Sequence, residues 1–290
     1  MHFYLHSIFV HMPWWLTVII VAYALNAVAA VIDKVLLSKA IGNPAVYAFY
    51  IALLSMLGWV LAPFGVHIPQ AGEFWLDIVA GVIFTFALLF LFKGLKHGES
   101  SRITPFVGAL SPVFVWFFSY WFLPERLATG DLWALALLVA GSLILIERSK
   151  KSSGSGSGFL AASVSALLFC VSYTLTKYNF NHQPFVSAFV WMRLGAFVGG
   201  ILLLLNAKNR KDILHTTHSA AKNTGWFLFG QVVGAGSFVL VNYAISLANV
   251  SLVNALQGIQ YLFLLLIIWV ISFFKPALLH ESMKGRALLR

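Results

Sequence analysis

The sequence predicts an all-α membrane protein: a polytopic bundle of two inverted five-helix repeats, with the last helix absent from this chain. Three observations carry that prediction. The chain is 60% hydrophobic and only 10% charged, with a mean hydropathy of +0.88, whereas a soluble domain is roughly 45 to 50% apolar and about 25% charged. Its apolar residues gather into runs of about 18 to 24 residues, the length that crosses a hydrocarbon core roughly 30 Å thick. A central Gly/Ser stretch divides those runs into two halves that share short motifs in the same order.

The apolar runs cover residues 14–36, 45–64, 74–92, 103–123, 132–146, 159–175, 185–205, 226–247 and 250–274. Lipid offers no partner to an unpaired backbone group, so each run is a helix or part of a closed barrel. Continuous apolarity, rather than ten-residue alternation, selects the helix. The fifth run is short and rich in Leu and Ala, which predicts a helix packed inside the bundle. Residues 1–12 have no basic n-region and no small-residue cleavage site before Pro13. No cleavable signal is expected, and the first helix is expected to stay in the mature protein. The sole cysteine, Cys170, sits in an apolar stretch; it permits no disulfide or cysteine metal site within one chain and reads as a small buried hydrophobe.

The net charge of +10 would raise the question of nucleic acid in a soluble protein. Here the cations lie almost wholly in short connections, so they read as topology signals facing anionic lipid, and no nucleic-acid partner is expected. Of the 19 Lys and Arg residues, 16 fall on one side of the predicted membrane, only Arg126 and Lys177 on the other, and Arg193 within it. The positive-inside rule then places the N-terminus outside and Arg290 in the cytoplasm.

The stretch from Lys150 to Gly158 has the composition of a flexible linker. It separates a first repeat at 13–148 from a second at 159–290, with 149–158 between them. Its glycines imitate a nucleotide loop, but no strand can precede them, so a phosphate site is not expected. The second helix of each half opens on Pro-x-Val-x-Ala-Phe, at Pro44 to Phe49 and at Pro184 to Phe189. Gly94 to Gly108 also runs parallel to Ala244 to Gly258, with Ser101 against Ser251. These matches predict an internal duplication, and five helices per copy make the copies inverted. Such repeats are common in secondary transporters, which bind substrate near the midplane where the repeats meet.

A resemblance points the same way. Gly98-Glu99-Ser100-Ser101-Arg102-Ile103-Thr104-Pro105, Leu110-Ser111-Pro112-Val113-Phe114, Pro124-Glu125-Arg126-Leu127 and Ala140-Gly141-Ser142-Leu143-Ile144 together resemble the EamA repeat of the drug/metabolite transporter superfamily. The second half is similar at Tyr173 to Lys177, Pro184 to Arg193 and Asn242 to Gln257. The resemblance implies ten helices in two inverted repeats, in the inner (plasma) membrane, moving a small metabolite such as an amino acid without a cofactor. It also implies a cytoplasmic N-terminus, against the charge count. After Leu279 to Ser282 the sequence runs only to Arg290, leaving no tenth helix. Either the sequence is a piece of a longer chain or the bundle works with nine helices, and the first is expected.

Polar groups at membrane depth are costly, about 2.5 to 3.5 kcal/mol for Arg at a helix centre, and persist mostly where they face a cavity or a partner. Arg193 lies near the middle of its run and matches an arginine that members of the resembled family often carry there. It fits two roles, contact with an anionic group of a substrate or packing between repeats. Asn254, Gln257 and Tyr261 are spaced i, i+3 and i+7, one helix face that can line a pathway or join helices. Gln231 and Asn242 are three turns apart with Gly234 between them; Asn26 stands alone in the first run; Tyr47 and Tyr50 are a turn apart in the second. For Gln231, Asn242, Asn26 and Tyr50, substrate contact and plain interhelical packing are both open. Asp33 and Asp77 fall near predicted helix ends and are expected to be wet, which argues against proton coupling. His2, His6 and His11 lack a carboxylate or fourth ligand nearby, so no metal site is expected.

A membrane enzyme would need a serine with a histidine, paired aspartates or a His-Glu-x-x-His helix. None is readable, and no catalytic residue is expected. The sequence therefore predicts a secondary transporter for a small polar solute, with a non-transporting scaffold or sensor subunit as the alternative.

Overall fold

The computed structural model describes residues 13–40, 43–97, 100–124, 126–148, 156–215 and 224–274. Helix α1 spans Trp14–Ala40 and α2 spans Pro44–Leu54. Asn43 caps α2, its side chain accepting from the Ala45 amide at 2.9 Å, and Pro44 takes the first-turn position that needs no amide hydrogen. The same span continues as a 3-10 helix, Ser55–Phe64, and ends at Gly65, whose φ of 124° suits a residue without Cβ. Then follow α3 at Ala71–His97, α4 at Ser100–Phe122, α5 at Thr129–Arg148, α6 at Gly156–His182 and α7 at Phe185–Leu203. The short α8, Ala207–His215, precedes α9 at Thr224–Leu247, α10 at Val250–Ala255 and α11 at Gln257–Phe274. Among the described residues, eight spans are long and apolar enough to cross a membrane, α2 with its 3-10 extension and α10 with α11 each forming one of them; within α5, residues 129–141 form a shorter apolar helix. The chain is a multi-pass helical membrane protein.

Two helix pairs form the spine. Along α6, the Ser165 and Ser172 hydroxyls donate to the carbonyls of Ala87 and Ala80 on α3, both at 2.9 Å. The partner numbers fall on one helix as they rise on the other, so the pair is antiparallel. Helix α1 lies against α9 in the same manner, the Ser237 hydroxyl donating to the Ala22 carbonyl at 2.8 Å, while a Cβ on Gly230 would come within 2.7 Å of Ile32. Without a hydrophobic drive between helices in lipid, close backbone approach and such hydrogen bonds are what hold them. The tightest crossing is α3 on α7. A Cβ added to Gly81 would fall 2.1 Å from the Met192 carbonyl oxygen, and one on Gly195 would fall 2.4 Å from that of Ile78. The Thr85 hydroxyl closes this contact by donating to the Ala196 carbonyl at 2.9 Å.

Three expectations are corrected. Asp77 is not wet: it is 0% exposed, because α3 begins at Ala71 rather than Phe74, and α6 covers its second turn. Helix α5 is not packed inside; Trp133 and Leu137 on it are 69% and 71% exposed. Composition was a poor guide there, since an apolar helix is as well solvated by lipid as by neighbouring helices. The linker is shorter than its composition implied, for Gly156, Ser157 and Gly158 already belong to α6. Gly158 is buried against α3, where a Cβ on Gly94 would meet its carbonyl oxygen at 3.2 Å. His2, His6 and His11 lie outside the described residues, as do the side chains of Asp33 and Lys34.

Candidate functional site

The ninth apolar run is not one continuous helix. It starts at the Asn249 cap, whose side chain accepts from the Ser251 amide at 2.9 Å, and is interrupted at Leu256 between α10 and α11. Asn254 and Gln257 stand on either side of that interruption. The interruption is local: Leu256 keeps right-handed helical dihedrals and its amide donates to the Leu252 carbonyl at 3.0 Å, while the Ile259 amide bonds back three residues to the Leu256 carbonyl at 2.9 Å, and beside it lies a cavity. It is lined by Tyr23 and Asn26 of α1, Tyr173 of α6, Ser237 and Phe238 of α9, and Asn254 and Gln257, with Gly234 and Val241 completing the wall.

Much of the lining is held in place by bonds that leave the centre polar. The Tyr23 hydroxyl donates to the Val253 carbonyl at 2.7 Å, tying α1 to α10. Asn26 donates through Nδ2 to Oε1 of Gln260 at 3.1 Å, tying α1 to α11. Asn254 turns its amide nitrogen to the Val250 carbonyl at 2.8 Å. The Gln257 carboxamide makes no hydrogen bond to the described residues. The cavity volume is about 80 Å³, room for a few water molecules, whereas sites that enclose a drug-sized ligand are usually about 300 Å³ or more. The cavity is therefore smaller than one that encloses a drug-sized ligand.

Arg193 lies beside this cavity without lining it. It is 7% exposed, and its guanidinium carbon sits 4.3 Å from the ring centre of Phe238, 5.1 Å from Phe189 and 5.5 Å from Phe84. Three negative ring faces replace a counter-ion, and Nε meets no acceptor among the described residues. Gly58 makes room for the arginine stem; a Cβ there would lie 2.7 Å from Arg193 Cγ. Phe238 is the shared wall, cavity on one side of the relationship and guanidinium on the other.

Of the residues singled out in the sequence, the cavity gathers Asn26, Asn254 and Gln257. Tyr261 leaves the group: its hydroxyl donates to the Thr104 carbonyl of α4 at 2.9 Å, in a space opened by Gly108. Asn242 is buried and bonded to the Phe238 carbonyl one turn back at 2.8 Å. Gln231 is half-buried on α9 and Tyr50 half-buried on α2, with the Tyr50 ring edge-on to Phe49 at 5.7 Å; neither lines the cavity. Sequence reasoning missed Tyr23, Tyr173, Ser237, Phe238 and Gln260. A signal existed for two of them: Tyr23 is one turn before Asn26, and Gln260 one turn after Gln257.

A second polar cluster lies apart from the cavity, where Asn179 and Gln183 converge on the Asp77 carboxyl.

Residues 13–147 match the model of the EamA-like transporter family. Twenty-four chains of solved structures match the fold; one crystal structure superposes with a TM-score of 0.62 at 17% identity, over 89% of this chain and 91% of its own. At that identity the likeness concerns the fold alone. No curated protein matches the chain.

Proposed function

We propose, from the premise that residues 13–147 belong to the EamA-like transporter family, that this chain is a secondary transporter of the inner (plasma) membrane. Its solute is a small polar metabolite, an amino acid or similar molecule, and it passes through the cavity between α1, α6, α9 and the interrupted α10–α11 span. The observation that carries this reading is Gln257, a carboxamide at membrane depth, lining the cavity beside a helix interruption and bonded to no other described residue. An idle polar group is expensive there unless a ligand or water uses it.

The two halves, divided between α5 and α6, act in this reading as inverted repeats. The matched pairing supports it: the first helix of the second half lies on the third of the first half through Ser172 and Ala80, and the first helix of the first half lies on α9 through Ser237 and Ala22. Arg193 serves as the fixed positive charge next to the pathway. Its approach to an anionic group requires Phe238 to swing aside, which also widens the cavity.

A thermal-shift screen of purified protein against amino acids and related metabolites tests the proposal. A ligand that binds only the folded state at 100 times its Kd adds about 2.7 kcal/mol of stability, and Gln257→Leu is expected to remove that shift. If no small solute shifts the melting temperature, the alternative of a scaffold or sensor subunit gains.

A further inference from the structure

The carboxyl of Asp77 is sealed inside the bundle at a place the cavity does not reach. Two neutral amides bind it: Nδ2 of Asn179 donates to Oδ1 at 2.7 Å, and Nε2 of Gln183 donates to Oδ2 at 3.1 Å. All three side chains are buried.

Of the charged and titratable groups around it, Glu73, one turn before it on the same helix, is near enough to act on it through space; the others have contacts elsewhere. On α3 itself, Glu73 accepts from the Gln70 amide. On α6, the Lys177 ammonium donates to the Ser246 carbonyl at 3.4 Å, His182 Nδ1 lies 2.8 Å from the Tyr178 carbonyl oxygen, and Tyr173 belongs to the cavity wall. On α7, Arg193 is enclosed by its three rings. On α2, Tyr47 packs on Phe92 and Tyr50 on Phe49. In the connection before α3, His67 is bonded through its backbone to Ser187. Asp77 forms no ion pair among the described residues.

The hydrogen-bond inventory of the cluster depends on a proton. With both amides donating to the carboxyl, Oδ1 of Asn179 and Oε1 of Gln183 are left buried without a donor. Protonation changes the balance. Rotation of one carboxamide by half a turn presents its oxygen to the acid O–H, while the other amide continues to donate to the carbonyl oxygen; the rotated NH2 then takes the orphan's place, so the number of unpaired groups stays at two and what protonation removes is a buried carboxylate with no counter-charge. Which end of an amide faces the carboxyl is the free variable of such a site. The carboxyl bridges α3 of the first half and α6 of the second. It is seventh in α3, roughly 9 Å along the axis from the helix start at 1.5 Å per residue, a short path to water if the end of α6 moves.

We infer that Asp77, Asn179 and Gln183 form a proton-binding site, loaded from and released to water as the α3–α6 contact opens, through which a proton gradient drives transport. The step is a simple protonation, one proton taken up by the carboxylate and given back on the opposite side of the cycle. Its use in transport rests on the transporter reading above; the existence of the site does not.

Infrared spectra of the purified full chain, recorded as pH is stepped, test the site without a substrate. The wild type minus Asp77→Asn difference is expected to hold one carboxylic-acid carbonyl band that comes and goes reversibly with pH and moves on labelling with carboxyl-13C aspartate. Asn179→Leu, which keeps the carboxyl and removes one rotor, is expected to move that band. Absence of any such difference band overturns the site, and the aspartate label on wild-type protein serves if Asp77→Asn does not fold. In proteoliposomes offered a mixture of radiolabelled amino acids, an inward proton gradient is expected to raise wild-type uptake several-fold, and Asp77→Asn to lose that response. Wild-type uptake indifferent to the gradient overturns the coupling. No wild-type uptake at all counts against the transporter reading, while the infrared band still decides the proton site.

Discussion

Asn26 on α1 donates to Gln260 on α11 across 3.1 Å, joining the first and last described helices of the bundle at the edge of its polar cavity. The bond fixes the wall that carries Gln257, so it belongs to packing and to function together. Interhelical side-chain bonds in membranes are worth about 0.6 kcal/mol on average and up to about 1.7. A double-mutant cycle of Asn26→Leu and Gln260→Leu, read by thermal or denaturant unfolding in detergent, is expected to return a coupling within that range. A coupling of zero would make the contact incidental.

Gly81 is the most demanding position at the α3–α7 crossing. Its neighbours are backbone atoms of Met192, Gly195 and Ala196, which cannot swing away as a side chain can. Gly81→Ala is expected to destabilise the fold by about 1 to 3 kcal/mol, the usual cost of overpacking. Gly72→Ala, with open space around it, is expected to leave the melting temperature within a degree or so of wild type. Equal melting of the two variants would contradict the close crossing.

Arg193 distinguishes charge from packing. Arg193→Ala is expected to abolish transport while the protein still inserts and folds. Arg193→Lys, which keeps the charge but loses the planar face stacked over Phe238, is expected to recover only part of the activity. Loss of expression in both variants would assign the arginine to packing alone.

Orientation is open to a labelling experiment. On a Cys170→Ser background, single cysteines at Gly72 and Thr129 are expected to react with an impermeant maleimide added to intact cells, and cysteines at Ser153 and Asn209 to be protected. The charge asymmetry of 16 against 2 underlies this. The reverse pattern would restore the cytoplasmic N-terminus that the family resemblance implies.

Helix positions were legible because lipid imposes them. Apolar runs ended close to the helices, as at 185–205 for α7, Phe185–Leu203, and Cys170 proved buried. Facing was less legible. Asn254 and Gln257 point into the cavity, but Tyr261 on the same nominal stripe bonds to α4, a partner that only the tertiary fold selects. The interruption at Leu256 had a signal in Gly258, two residues on, which the repeat match used only as an alignment point. Asp77 was misplaced because a three-residue error in a helix start moves a carboxyl from the membrane edge to the interior. Ser237 and Tyr23 look like ordinary bundle residues until the α1–α9 and α1–α10 contacts are known.

The central claim is that the cavity beside Leu256 is a solute pathway, and uptake by reconstituted protein tests it most directly. Proteoliposomes containing the wild-type chain, offered radiolabelled amino acids one at a time, are expected to accumulate at least one of them above empty liposomes. The Asn254→Leu, Gln257→Leu double variant, reconstituted to the same density and with an unchanged melting temperature, is expected to lose at least nine-tenths of that uptake, about 1.4 kcal/mol or more of transition-state stabilisation. Undiminished uptake by the double variant would contradict the account.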